Sequence, residues 1–356
     1  NYITALGYGS DDDANFKKYW PADVHMVGKE IVRFHTIYWP IMLHALGLPL
    51  PKHVIGHGWL TMREGKMSKS KGNVVYPETL VNRYGLDATR YYLLKAMPFG
   101  NDGVFSPEDF VDKVNYDLAN DLGNLLNRTV AMVNKYQAGH LVGQPTATTA
   151  FDADLEATAA QVFTNYVQLM DETRFADALS EIWKLIARAN KYIDETEPWV
   201  LAKDDSQAAV LSDVMTHLAK ALRFAAAMLQ PFMPDVPAEI WRQLGLASDP
   251  VSLVDLKFDD FPAEAQVVAK GTPIFPRRDR KEEIEFIQSQ MSANQKQKGR
   301  KAMAEKQQAQ APVAETTGKK AIRFDVFEKV ELKVAEIKAA EPVEGSDKLL
   351  KFQLDD

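Results

Sequence analysis

From Ser106 to about Leu244 apolar residues return every three or four positions, and the stretch is divided by prolines at 198, 231, 234 and 237 rather than by strand-like alternation. A chain written this way has one economical solution: several helices packed side by side on their apolar faces. The run opens on SPED, where Ser106 offers a cap, Pro107 suits the first helical position, and Glu108 and Asp109 lie near the positive helix end. Phe110, Val114, Leu118, Leu122 and Leu125 follow on one face and predict a helix to about Tyr136. Further helices are expected over 152–171, 175–195, 206–230 and 237–244, making an all-α domain across 106–275.

Residues 1–105 follow a different rule. VHMV (24–27) and KHVIGHGWLT (52–61) read as strands, with EIVRFHTIYWPIMLHALG as a helix between them. Strand, helix, strand is the unit of a parallel sheet, and one unit cannot cover both of its faces. The chain, which begins without methionine, is therefore expected to be the carboxy-terminal portion of a longer α/β protein. Residues 276–321 are rich in Gln and Lys and poor in large apolar side chains, which predicts a basic, flexible linker. In 322–356, EKVELKVAEI and LLKFQL alternate apolar with polar residues, as the first strands of a β domain would.

Composition narrows the classes. A hydrophobic content of 46% with 26% charged residues fits a globular protein, and no apolar run nears the roughly 18 residues that span a bilayer, so a cytoplasmic protein without membrane contact is expected. Cysteine is absent, and the one close histidine pair, His53 and His57, lies on a stretch read as a strand, where residues four apart are about 13 Å from each other, so no metal site is expected in these residues. The net charge of -7 opposes non-specific coating of nucleic acid, leaving local clusters to make any such contact.

GWLTMREGKMSKSKGNVV (58–75) is one such cluster, setting Arg63, Lys66, Lys69 and Lys71 against Glu64 alone. Ammonium groups on a glycine-bounded hairpin can wrap a polyphosphate and neutralise charge as it leaves. By spacing alone, a solvated basic turn accounts for it equally well, and GxxxxGK[ST] is not matched. Similarly, His35 on EIVRFHTIYWP can be a core histidine, GKE (28–30) a simple helix start, and the Asn124 and Arg128 face a solvated strip.

KMSKS followed by KGN, ahead of a helical domain, resembles the signature loop of class I aminoacyl-tRNA synthetases. Together with GKEIVRFHTIYWP (28–40), HGWLT (57–61), GNDGVFSPEDF, NLLNR and EPW, the chain resembles the methionyl-tRNA synthetases across about 1–245. The resemblance implies the second half of a Rossmann-like catalytic domain (1–105), a helical-bundle anticodon-binding domain (106–275), a linker (276–321), and the start of a tRNA-binding OB-type domain (322–356). It implies ATP, with Mg2+, methionine and tRNA(Met) as substrates, and a homodimer formed through the C-terminal domain, although the short final segment also leaves room for a monomer.

By the same resemblance, Lys69, assisted by Lys66, stabilises the departing pyrophosphate, and Met67, Ser68 and Ser70 complete the ATP-contacting loop. Gly28 and Glu30 approach the ribose, and His57 and Leu60 border the adenine. Tyr2, His35, Tyr38 and Trp39 line the methionine pocket, where aromatic rings suit a polarizable thioether. Asn124, Arg128 and Trp199 read the anticodon by hydrogen bonding and stacking. The HIGH motif and the insertion that binds zinc in many members would lie upstream, so zinc is left undecided and the chain by itself is expected not to activate methionine. Two alternatives stand beside this reading: a tRNA-binding module without independent catalysis, and a sister enzyme for isoleucine, valine, leucine or cysteine.

Overall fold

The computed structural model describes residues 1–63, 65–67, 73–144, 146–247, 251–254, 256–291, 336–342 and 350–355. They fall into two compact units, Asn1–Ala302 and Met303–Asp356.

The first unit opens with short helices α1 (Tyr2–Ala5) and α2 (Ala14–Tyr19), then strand β1 (Val24–Gly28). β1 runs parallel to β2 (His53–His57), with Val24 opposite His53 and Gly28 opposite His57. The connection is helical as expected but irregular: a 3-10 turn Lys29–Ile31, a π-turn Phe34–Tyr38, and α3 (Trp39–Ala45). Pro40 has no N–H to donate back into the preceding turn, and the wide turn stands immediately before it. Ile3, Trp20 and Leu43 form a small core behind this unit.

The strand expected over 52–61 is broken. After β2 the chain passes Gly58 and Trp59 and enters a different sheet through β3 (Leu60–Met62), which pairs antiparallel with β4 (Gly65–Lys66) and parallel with β5 (Gly103–Phe105). Gly58 is the cause: a Cβ there would lie 1.8 Å from the carbonyl oxygen of Asn101, so only glycine lets the two segments touch.

Helices α4 (Pro77–Tyr84) and α5 (Leu86–Ala96) lead to β5 and then to the long helix. That helix is continuous over three parts: α6 (Pro107–Lys113), a π-segment Val114–Gly123, and α7 (Asn124–Gln137). Ser106 caps it as expected, its Oγ accepting from the Asp109 N–H at 3.1 Å, and the whole Phe110-to-Leu125 stripe is buried. β6 (His140–Val142) follows, then α8 (Asp152–Asp171), α9 (Phe175–Thr196), the short α10 (Pro198–Leu201), α11 (Ala208–Leu229) and α12 (Val236–Gln243). β7 (Glu264–Gln266) returns antiparallel to β6. Most of α11 is buried, which makes it the axis of the bundle.

Residues 276–291 depart from the linker expectation. Residues 280–291 are helical, Ile287 is fully buried, and Glu283 is 3% exposed against α4. The Gln- and Lys-rich composition masks Ile284, Ile287 and Met291, whose three- and four-residue spacing lays one face of this helix on the core, and polar contacts to α4 add to that packing. In the second unit, β8 (Glu336–Pro342) and β9 (Leu350–Asp355) form an antiparallel pair. The remainder of the expected linker and OB-type segment lies outside the described residues.

Candidate active site and anticodon face

Parallel strands point their carboxyl ends toward bound nucleotides in open α/β sheets. Here those ends are Gly28 and His57, paired side by side. Beside them a cavity of about 380 Å³ is lined by Glu30, His57, Gly58, Trp59, Leu60 and Met67. Four of the residues expected at ATP, namely Glu30, His57, Leu60 and Met67, thus share one wall, and Gly28 stands at the adjoining strand end. The His57 Nδ1 lies 2.9 Å from the Gly58 carbonyl oxygen, which can only accept. In the neutral ring Nδ1 therefore carries the proton and Nε2 is left as an acceptor.

A charged bracket holds this wall. Lys29 Nζ donates to both oxygens of Asp102 at 2.5 and 2.7 Å, and Asp102 also accepts from the Trp59 backbone N–H at 2.8 Å. Lys29 and that N–H hold the Asp102 carboxyl below its usual range. The Trp59 Nε1–H donates in turn to Glu30 Oε2 at 2.9 Å, fixing the carboxylate expected at the ribose. The sequence reading singles out neither Trp59 nor Asp102, though they stand inside HGWLT and GNDGVFSPEDF; the partners of Asp102, 43 and 73 residues away, leave no trace in its neighbourhood. The side chain of Lys66, and all of Ser68, Lys69 and Ser70, lie outside the described residues; the Lys66 backbone pairs with Thr61.

A second cavity, about 300 Å³, is lined by Asn1, Tyr2, His25, Phe34, His35, Tyr38, Trp39 and Met42. All four residues expected at methionine meet there. The wide turn accounts for the grouping, because it carries Phe34, His35 and Tyr38 to one side, with Trp39 next in line. Tyr2 packs edge-on to His25 at 5.4 Å, and the His25 and His35 rings are 6.0 Å apart. His35 is half-buried on the cavity rather than in the core, its Nδ1 3.0 Å from the Ile31 carbonyl oxygen. Burial, and then the neighbouring His35, push the His25 imidazole below its ordinary value. His25, missed from sequence, had only a strand histidine as its signal. The two cavities are joined by one helical stretch, with Glu30 on one and His35 on the other.

In the helical domain Asn124 is exposed and Arg128, one turn later, donates to Asp194 on α9 at 3.3 Å. Trp199, five residues beyond Asp194, is 41% exposed on α10, a presented ring rather than a core one. Glu197, in the left-handed conformation, makes the turn that presents it.

Residues 1–130 match the family model described as tRNA synthetases class I (M), and 152–313 match the anticodon-binding domain of tRNA ligase. The methionine–tRNA ligase of Lactiplantibacillus plantarum is 61% identical over all of this chain, and that of Enterococcus faecalis 57%. This chain belongs to the methionyl-tRNA synthetase family. It spans about half the length of the relatives it matches, 54% and 53% of those two. Among solved structures, the Mycobacterium tuberculosis methionyl-tRNA synthetase bound by methionyl-adenylate superposes with a TM-score of 0.71 at 38% identity, covering 78% of this chain and 54% of that one. The apo form of the same synthetase gives 0.69 at 35% identity over the same shares. Membership of the methionyl-tRNA synthetase family sets aside the isoleucine, valine, leucine and cysteine alternatives, and the class I half-domain followed by a helical anticodon-binding domain is the architecture observed.

Proposed function

We propose that the protein containing this chain is an ATP-dependent methionine–tRNA ligase: methionine's carboxylate attacks the α-phosphorus of ATP, pyrophosphate leaves, and the methionyl group passes to the terminal adenosine of tRNA(Met). The observation that carries this reading is the meeting of Tyr2, His35, Tyr38 and Trp39 on one cavity, one helical stretch from the wall of Glu30, His57 and Leu60. The 38% identity to a synthetase bound by methionyl-adenylate supports the same assignment. The aromatic cavity takes the thioether side chain, where sulfur-to-ring contacts add about 0.3 to 1.5 kcal/mol each. Glu30, oriented by Trp59, accepts from ribose hydroxyls. Lys69 and Lys66 draw off charge from the leaving pyrophosphate, and Mg2+ enters with the nucleotide as part of the substrate. Asn124, Arg128 and Trp199 receive the anticodon, and the C-terminal segment is the start of a tRNA-binding domain through which the protein dimerises. The protein works in the cytoplasm; among the described residues no helix is long and apolar enough to cross a membrane.

Two substitutions in the full-length protein test this. Lys69→Ala is expected to lower methionine-dependent pyrophosphate exchange by about 10²- to 10³-fold while tRNA affinity holds. Trp199→Ala is expected to cost about 1 to 3 kcal/mol of anticodon-dependent tRNA binding while exchange holds. Undiminished exchange in the first variant sinks the catalytic assignment. A full-length protein that binds tRNA but shows no exchange would favour the binding-module alternative.

A further inference from the structure

Glu283 is a buried acceptor in a cluster that no catalytic or RNA-contacting role accounts for. Its Oε2 accepts from Arg83 Nε at 2.9 Å and from the Tyr84 hydroxyl at 2.7 Å, and its Oε1 from Arg83 Nη2 at 3.1 Å. Arg83 also lies 4.4 Å over the ring of Phe286, and Arg278 donates to the Arg83 carbonyl at 3.1 Å. The same segment is fastened on its other side to the long helix. Asn115 exchanges two hydrogen bonds with the Arg278 backbone at 2.9 and 3.0 Å, and Arg280 grips Asp112 at 2.7 and 3.0 Å. Residues 278–286 therefore tie the last turn of α4 to the helical domain.

An ion pair with its carboxylate buried and its guanidinium partly exposed is a poor device for stability alone, since apolar side chains of the same volume commonly do as well. What a bidentate carboxylate and guanidinium pair adds is a fixed direction. Here the direction is that of α4, a rod of eight residues and about 12 Å, which starts at Pro77, five residues after KMSKSKG ends at Gly72. The other foot of that loop, β3, pairs with β5, which runs straight into the Ser106 cap of the long helix. Both feet stand on the helical domain, and one of them is fixed by Glu283.

We propose that Glu283 is a positioning residue for the activation step: through Arg83 and Tyr84 it sets the orientation of α4, the downstream support of the lysine loop. The proposal rests on the functional reading above. It is tested in the full-length protein with Glu283→Ala, the conservative Glu283→Asp, and the apolar double replacement Arg83→Met/Glu283→Leu. Glu283→Ala is expected to lower kcat/KM for ATP in pyrophosphate exchange by about tenfold, with the KM for methionine and the affinity for tRNA within twofold of the wild type. Glu283→Asp should recover part of the loss, and the double replacement should restore the urea-unfolding midpoint without restoring the ATP kinetics. Equal losses for ATP, methionine and tRNA that follow the unfolding midpoint would reduce Glu283 to a structural residue and overturn the proposal. Amide hydrogen exchange gives a readout independent of activity: in Glu283→Ala, residues 73–84 should exchange faster while 60–62 hold, and unchanged protection over 73–84 overturns it too. A wild-type protein without exchange activity would instead fail the functional reading, leaving the amide measurement to decide the role of Glu283.

Discussion

Gly58 shows how much one missing side chain decides. Without a Cβ the chain lies against the Asn101 carbonyl, β2 and β3 part into different sheets, and Trp59 is delivered to both Asp102 and Glu30. Gly58→Ala would place a methyl group 1.8 Å from that oxygen, and the strands would have to separate. The expected cost is about 1 to 3 kcal/mol in urea unfolding, with weaker ATP binding by calorimetry as Glu30 loses its orientation. A variant with wild-type stability and ATP affinity would show that the close approach is dispensable. The glycine was visible in the sequence, but its role was not: what it touches is 43 residues away.

Elements in this molecule are joined by charge as well as by packing. The Asp87 carboxylate on α5 accepts from the N–H groups of Asp235 and Val236 at the start of α12, and Arg90, one turn on, donates to the carbonyls of Phe232 and Pro231 just past the end of α11. An acid on a helix N-terminus and a cation at a C-terminus are the favourable pairings with helix dipoles. Three helices also meet at a buried network: Asp152 of α8 accepts from the Tyr192 hydroxyl of α9 at 2.6 Å, and His217 of α11 lies 3.1 Å from Asp213 and 3.0 Å from Glu156. Burial works against a charge on His217, but Asp213 and Glu156 outweigh it and raise the imidazole to about 9. A histidine raised in the folded state stabilises fully below its unfolded value near 6.5 and loses that contribution as pH climbs through about 9. Thermal unfolding should therefore show stability falling by about 3 kcal/mol between those pH values, and His217→Gln should flatten the slope. An unchanged slope in the variant would place the titration elsewhere.

At the scale of the whole molecule the two ends of the first unit differ in kind. The helical domain has a continuous buried core, whereas the β1 and β2 region exposes Met26, Phe34, Ile37, Ile41 and Met42, each at least 48% exposed. Apolar groups massed in this way bind partners or dyes. The 356-residue chain by itself is expected to enhance the fluorescence of an anilinonaphthalene dye severalfold, and the pair Ile37→Lys and Ile41→Lys should remove most of that signal. Enhancement that survives both charges would locate the apolar surface elsewhere.

Features that depend on neighbours a few residues apart are legible in the amino-acid order. The period of three to four placed the helices and the Phe110-to-Leu125 stripe, SPED placed the cap, and the family segments pointed to four of the six residues on one cavity and four of the eight on the other. The tertiary structure alone decided the break at Gly58, the bracket of Lys29, Asp102 and Trp59, the entry of His25 into the aromatic cavity, and the docking of 276–291, expected to be linker, on α4. Each of these turns on a polar contact or close approach between distant segments, as with Arg83 and Glu283, 200 residues apart, and periodicity carries no information about such pairs.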